Sequence, residues 1–424
     1  MTFQFNRRSA LKAGITLSTL AALPSCAGST ITSAPTDAQL AMIDAKMKEH
    51  RAPGLGVAMI EDGVVAWEQG FGFRNLDTQA PVDEKTLFQA ASLSKPIFAY
   101  VVLKAIENGE LSFDDRLTEF VRPDDLDPGP WSDQITVRDV LQHTAGLPNW
   151  RDDENGPQPL VPAYEPGTDT SYSGEAFFWL QKCMEEITGH GLNTFMSERL
   201  FEPAGLTDMR MLWEPGERAE REVYGHIFDD DDRLVVSELQ YKRVHSRRLI
   251  EVAEKWGKPM HLWTAEDQVR AAGEMRPHTN ERLKMAPAWI WGSPGHMLID
   301  SASSLRCTPG DYARFMCSMM PDRKRKAWEF SEETRQLMLT PQYERPDVQN
   351  GVLPRGLGWG LEKRDSGTAC YHWGKNGSSH HSVALADPTT GRGIVLMTNG
   401  PNGKALIPDV ATALLGVNYI AITT

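Results

Sequence analysis

Phe88-Gln89-Ala90-Ala91-Ser92-Leu93-Ser94-Lys95-Pro96 opens an apolar stretch that runs with helical periodicity from Ile97 to Ile106. Proline lacks an N–H and is tolerated only in the first turn of a helix. The helix must therefore begin within a few residues of Ser92. Ser92 then stands at a helix N-terminus, with Lys95 one turn away on the same face. A hydroxyl is a weak nucleophile until a base takes its proton, and a lysine in an apolar setting can lose enough basicity to do so. The S-x-x-K spacing alone is weak, because about one match is expected by chance in a chain of this length. Ser9-Ala10-Leu11-Lys12 is a second match. On these residues alone, Ser92 as a helix cap and Lys95 as a surface charge is the competing reading.

Upstream of this stretch, Leu40, Ile43 and Met47 recur at helical spacing. Two apolar runs follow, Leu55 to Ile60 and Val64 to Phe71, and Asp62-Gly63 between them signals a tight hairpin. At the far end Gly356 to Glu362, Ser382 to Ala386 and Ile394 to Thr398 read as strands. Ala405 to Leu415 reads as a closing helix with Pro408 near its start. Both ends thus supply strands and a flanking helix, which predicts a mixed α/β (α+β) chain. Residues 36–90 and 336–424 form an antiparallel sheet flanked by N- and C-terminal helices, and residues 91–335 form a mainly helical region. Within that region Glu238 to Arg282 is highly charged and reads as long, solvated helices with little to hold them. The run Asp229 to Asp232 lacks the alternating ligands and bidentate Glu of a calcium loop, so a solvated loop is expected.

The 424 residues carry 44 Lys plus Arg against 57 Asp plus Glu, a net charge of −13, with 41% hydrophobic residues. Such a chain can bury a large core, and disorder is excluded. The acidic balance argues against nucleic acid as a partner. Five scattered Cys contain no C-x-x-C pair, and the eleven His form no H-E-x-x-H, so no metal is expected. G-x-S-x-G, G-x-x-x-x-G-K-[ST] and G-x-G-x-x-G are all lacking, which removes a nucleophile elbow and the usual phosphate cradles; no cofactor is expected.

Residues 1–26 read as an export signal: Arg7-Arg8 precede an apolar run from Ala13 to Leu23 that is too short to span a membrane. The paired arginines resemble a twin-arginine signal. Leu23-Pro24-Ser25-Cys26 resembles a lipoprotein cleavage box, which makes Cys26 the candidate lipid-bearing residue and membrane tether. Cleavage before Cys26 removes Arg7, Arg8 and Lys12 and takes the net charge from −13 to −16. Residues 27–35, mostly small and polar, suit a tether, and a periplasmic or cell-envelope location is expected.

Phe88 to Lys95 resembles the active-site stretch of the serine β-lactamase and penicillin-binding-protein superfamily, in the class C branch that also holds esterases and D-aminopeptidases. The resemblance extends along nearly the whole mature chain. Pro53 to Gly72 is similar to the family's opening hairpin, and Ile135 to Pro148, ending His143-Thr144-Ala145-Gly146-Leu147-Pro148, to its helix and Gly-Leu-Pro turn. Pro166 to Leu206, Ser303 to Phe315 and Leu357 to Leu361 are similar to later landmarks in the same order.

The resemblance implies a β-lactamase/transpeptidase-like fold and a catalytic Ser92 with Lys95 as its base. It implies that Tyr172, in Tyr172-Ser173-Gly174, shares the base role and returns the proton to the leaving group. The family's usual third residue there is Asn, which holds a substrate amide and the Lys, and Gly174 departs from it. The third motif should lie on an edge strand at His372-Trp373-Gly374-Lys375-Asn376-Gly377. Two registers fit, His372-x-Gly374 and Lys375-x-Gly377, and the first is favoured. In that register His372 supplies a donor toward a substrate carboxylate or the Tyr. Gly374 permits close approach, and the N–H of Lys375 pairs with that of Ser92 as an oxyanion hole. Trp359 and Trp373 are candidates for the cleft wall. The partner so implied is a small-molecule or short-peptide ester or amide, cleaved through an acyl-enzyme. A non-hydrolytic protein of the same fold that binds cell-wall peptides or acyl ligands is the second reading, motivated by Gly174 and the charged insertion.

Overall fold

Along strand β1 (Gly54–Glu61), Leu55, Val57 and Met59 alternate with Gly56, Ala58 and Ile60, and every one of them is buried. A strand covered on both faces belongs in the middle of a sheet with a layer on either side. The computed structural model of the chain describes residues 34–151, 158–237, 241–274, 297–321, 325–343 and 353–423. The export segment 1–26 with Cys26, and the tether up to residue 33, lie outside the described residues.

The hairpin is completed by β2 (Val64–Asn75) and β3 (Ala80–Pro81). Two short pairs follow, β4 (Phe88–Gln89) with β7 (Arg306–Cys307), and β5 (His226–Phe228) with β6 (Leu234–Val236). The chain then closes on β8 (Gly360–Arg364), β9 (Gly367–Asn376), β10 (His380–Asp387) and β11 (Arg392–Thr398). The large sheet is antiparallel in the order β3-β2-β1-β11-β10-β9-β8, so its centre joins the two ends of the chain. Asp62 and Gly63 both adopt positive φ, 51° and 73°, as a two-residue hairpin turn requires.

The alternation sorts side chains into two cores. Leu55, Val57, Met59, Val383, Leu385, Ile394 and Leu396 share one with helices α1 (Asp37–Glu49) and α7 (Gly403–Leu415). Ala58, Ile60, Ala384, Val395 and Met397 face the helical region on the other side. That region includes α2 (Ser94–Glu107), α3 (Gly174–Thr188), α4 (Tyr241–Trp256), α5 (Ala265–Glu274) and α6 (Pro309–Met316).

Four details depart from the sequence reading. Residues 356–359 are not strand: Gly358 takes φ +81° and donates its N–H to the Leu141 carbonyl at 2.7 Å, so β8 begins only at Gly360. Helix α7 begins at Gly403, which places Pro408 inside it. The third-motif strand β9 is not an edge. It pairs with β10 from Cys370 to Asn376 and with β8 from Gly367 to Tyr371, and the half beyond Tyr371, paired with β10 alone, carries the motif. Finally, the described part of the charged insertion is anchored. Leu249, Val252, Trp263 and Ala271 are buried, the Ala265 N–H donates to Glu185 at 2.8 Å, and Gln268 donates to the Ile299 carbonyl at 2.9 Å. Its apolar positions form a stripe, which charge counting alone overlooks. Asp229 to Asp232 form the turn between β5 and β6, with Asp229 paired to Arg233.

Candidate active site

The Ser92 turn is short and heavily tied. Ala91, immediately before it, has φ +51°, a left-handed conformation that costs an alanine about 1–2 kcal/mol. The chain makes a 3-10 turn over Ala91–Leu93 before α2 begins at Ser94. Three contacts hold this turn: the Ser94 hydroxyl donates to the Ala91 carbonyl at 2.6 Å, the Leu305 N–H donates to that hydroxyl at 3.0 Å, and Tyr312 donates to the Leu93 carbonyl at 2.9 Å. Ser92 is half-buried, whereas Lys95, one turn on, is 1% exposed. The Lys95 Nζ donates to the Ala302 carbonyl at 3.0 Å and stands 3.4 Å from the Ser92 Oγ. Its ammonium also lies 4.5 Å from the centre of the Tyr172 ring.

Ala302 is a residue that motif reading missed. Asp300 fixes the turn around it by accepting from the Ala302 N–H at 2.9 Å and from the Ser303 and Ser304 hydroxyls at 2.9 and 2.8 Å. Lys95 thereby has the acceptor that Gly174 does not supply.

Tyr172 is held by the residue pair on either side of it. The Ser171 N–H donates to the His143 carbonyl at 2.9 Å, and the Ser173 N–H to the His143 Nδ1 at 3.2 Å. The two rings lie 4.5 Å apart. Burial, and the nearby charges of Arg355 and Lys95, push the His143 pKa well below its usual value, so the ring packs as a neutral group. Arg355 approaches the Tyr172 ring at 5.7 Å. The Tyr172 hydroxyl is buried and has no hydrogen-bond partner among the described residues.

His372 lies across from Tyr172, ring centres 5.9 Å apart. Its Nδ1 is 2.7 Å from the Trp373 carbonyl oxygen, which can only accept. The proton therefore sits on Nδ1, and the buried Nε2 presents a lone pair. Burial first, then the charges of Lys95 and Arg355, lower its pKa to about 3. The donor role expected for His372 is thus corrected: the ring offers the cleft an acceptor.

Gly374 abuts the Ser92 turn. A β-carbon there would collide with the Ala90 carbonyl and the Ser382 hydroxyl, and Ser382 itself donates to the Ala90 carbonyl at 2.8 Å. Gly377, by contrast, lies in the turn to β10 at φ +59° with open space beside it. Lys375 is exposed, and its backbone pairs in register with His381.

Ser92, Tyr172, His372, Gly374 and Lys375 line one cleft of about 660 Å³, with Trp373 in its wall. Lys95 lies beneath them, and Trp359 is buried in the core. Away from the cleft, Glu49, His50 and Asp409 bring ligand atoms within 4.8 Å of one another. Lys46 already pairs with Asp409 at 2.9 Å, so the group is an ion-pair cluster.

A half-buried serine, a buried lysine in reach of its oxygen and a tyrosine over that lysine, all between a sheet and a helical layer, find their match in one family. The β-lactamase family model covers residues 41–417. The chain belongs to the β-lactamase family. Over 202 residues it is 26% identical to penicillin-binding protein 4* of Bacillus subtilis (strain 168), a match covering 43% of each chain. It is 31% identical over 116 residues to esterase EstB of Burkholderia gladioli, covering 26% of this chain and 28% of the esterase. A D-aminopeptidase of Brucella anthropi is 29% identical over 179 residues, 38% of this chain and 33% of that one. The chain spans less than half the length of each of these relatives.

Solved structures of the β-lactamase/transpeptidase fold cover far more of it. The octameric penicillin-binding protein homologue from Pyrococcus abyssi superposes with a TM-score of 0.65 at 20% identity, over 90% of this chain and 78% of that one. D-alanine carboxypeptidase AmpC from Burkholderia cenocepacia gives 0.60 at 19%, over 89% and 99%. At such identities the likeness is one of fold.

Proposed function

We propose that this β-lactamase-family protein is an exported serine hydrolase that cleaves an ester, amide or β-lactam carbonyl through an acyl-enzyme on Ser92. The observation that carries the reading is the 3.4 Å approach of the Lys95 Nζ to the Ser92 Oγ at the floor of the cleft. Lys95 with Tyr172 takes the hydroxyl proton as Ser92 attacks the carbonyl carbon. The developing oxyanion is held by the backbone N–H groups of Ser92 and Lys375. The proton returns to the leaving group through Tyr172, and water then releases the acyl group from Ser92. The relatives named an esterase and a D-aminopeptidase support a carbonyl substrate of this kind.

Export rests on Arg7-Arg8 and the apolar run behind them, with Cys26 as the lipid-bearing residue and the cell envelope as destination. Among the described residues no helix is long and apolar enough to cross a membrane.

The test is covalent labelling. Mature protein treated with a fluorophosphonate or a penicillin should gain one adduct, located at Ser92 by peptide mass spectrometry. Folded wild-type protein that takes up neither reagent would overturn the reading in favour of a non-hydrolytic binder.

A further inference from the structure

Position 174 is a glycine because its side is already filled. A β-carbon on Gly174 would lie 2.5 Å from Cζ2 of Trp150 and 2.8 Å from the Asn149 carbonyl oxygen. The Gly174 N–H is shared between that carbonyl oxygen and the Oδ1 of Asn149, at 3.0 Å each, and the Glu175 N–H donates to the same carbonyl at 3.1 Å. An N–H can face only the oxygen of a carboxamide, so this contact fixes which way the amide points. Its Nδ2, with two N–H donors, is the end left over, and it has no partner among the described residues.

Asn149 lines the cleft that holds Ser92 and Tyr172. The chain is pinned on both sides of it. The Ser173 hydroxyl donates to the Pro148 carbonyl at 2.8 Å, and Arg151 grips the buried Glu175 through Nε at 3.0 Å and Nη2 at 3.1 Å. Asn149 itself is exposed, so its Nδ2 meets water until a ligand binds, and a ligand that covers it without a matching acceptor strips that water and leaves the donor unpaired.

We propose that Asn149 is a specificity-determining residue: its Nδ2 donates to a second carbonyl oxygen of the substrate, distinct from the carbonyl that Ser92 attacks. The substrate class is then an ester or amide that carries a further amide or acylamino group. This rests on the hydrolase reading above.

The test uses two matched pairs of esters. p-Nitrophenyl acetate and p-nitrophenyl N-acetylglycinate share a leaving group; phenyl acetate and 4-acetamidophenyl acetate share an acyl group. Asn149→Asp keeps an acceptor for the Gly174 N–H and removes the donor, whereas Asn149→Leu removes both. In one pair, the ratio of kcat/KM for the second-carbonyl ester to that for the plain ester should fall about tenfold in both variants, one hydrogen bond's worth. Ratios equal to wild type in both pairs, with folding verified by circular dichroism, would overturn the proposal. Wild type that hydrolyses no ester faster than Ser92→Ala would overturn the hydrolase reading and this inference with it.

Discussion

The ammonium of Lys95 donates to the carbonyl of Ala302, 207 residues further along the chain, at 3.0 Å while its Nζ faces the Ser92 Oγ. The acceptor sets the direction of a buried, flexible side chain and keeps its nitrogen beside the Ser92 hydroxyl, where the lone pair of a neutral amine can take the proton. Ser92→Ala should abolish ester hydrolysis. Lys95→Ala should lower kcat/KM by about 10²–10⁴, the range for loss of a positioned base. Asp300→Ala, which releases the Ala302 turn without touching the cleft, should lower kcat and cost about 1–3 kcal/mol of stability, because two buried donors and the half-buried Ser303 hydroxyl lose their acceptor. Urea melts read beside steady-state rates separate the two effects. Full activity in Asp300→Ala would show that Lys95 needs no fixed acceptor.

Gly374 offers a steric test of the same site. Since a β-carbon would strike the Ala90 carbonyl, Gly374→Ala must push β9 away from the Ser92 turn. The expected cost is about 1–3 kcal/mol of stability. Activity should fall further than stability does, because an oxyanion donor displaced by about 1 Å no longer meets the developing charge. Gly377→Ala meets open space but sets an alanine at φ +59°, so it should cost about 1–2 kcal/mol of stability while leaving the Ser92 turn in place and activity little changed; rates of both variants on one chromogenic ester give the comparison.

The sheet and the helix start beside Ser92 were legible in the sequence for a local reason. Alternating apolar runs around Asp62-Gly63 and a proline that forces the helix start beside Ser92 are patterns within a dozen residues. What stayed hidden depends on contacts between distant segments. Ala302 acts through a backbone carbonyl, which no side-chain motif records. The protonation of His372 depends on the Trp373 carbonyl facing its Nδ1, and residue type cannot specify that. The anchoring of α4 and α5 was obscured because charged residues outnumber the apolar stripe that buries Leu249 and Val252. Asn149 carried a signal that could have been used, a carboxamide directly after the Gly146-Leu147-Pro148 turn. Its meaning came from Trp150 filling the side of Gly174.

His372 and Tyr172 give a prediction in pH. The folded pKa of His372, about 3, lies below the usual histidine value, so the ring stays neutral throughout pH 5–8. The profile of kcat/KM should therefore contain no limb near pH 6.5 from this residue, and His372→Gln should leave the shape of the profile in that range unchanged while lowering its height. The stability consequence has the same sign as for a carboxylate whose folded pKa is lowered. Below about pH 6.5 the unfolded ring takes a proton that the folded one refuses, so this group costs stability as pH falls toward 3. Tyr172→Phe, which removes only the buried hydroxyl, should lower kcat by about 10²–10⁴ with the melting temperature little changed. A wild-type limb at pH 6.5 that vanishes in His372→Gln would contradict the neutral ring.

Glu185 gives the clearest stability window. Its carboxylate is buried beneath the charged insertion, accepting from Gln181 at 2.9 Å, the Leu192 N–H at 3.1 Å and the Ala265 N–H at 2.8 Å. Burial outweighs these donors and raises its pKa from 4.5 to about 7. A raised folded pKa means that the folded state holds the proton more tightly than the unfolded one. The contribution is complete below about pH 4.5, is lost as pH rises through about 7, and is level above that. At 1.36 kcal/mol for each pKa unit, the loss is on the order of 3 kcal/mol. Glu185→Gln has no proton to lose, so the difference in unfolding free energy between wild type and variant should shift in the variant's favour from pH 4.5 to 8. Denaturant titrations at half-unit pH intervals measure it. Parallel curves for the two proteins would place the titration of Glu185 outside this range.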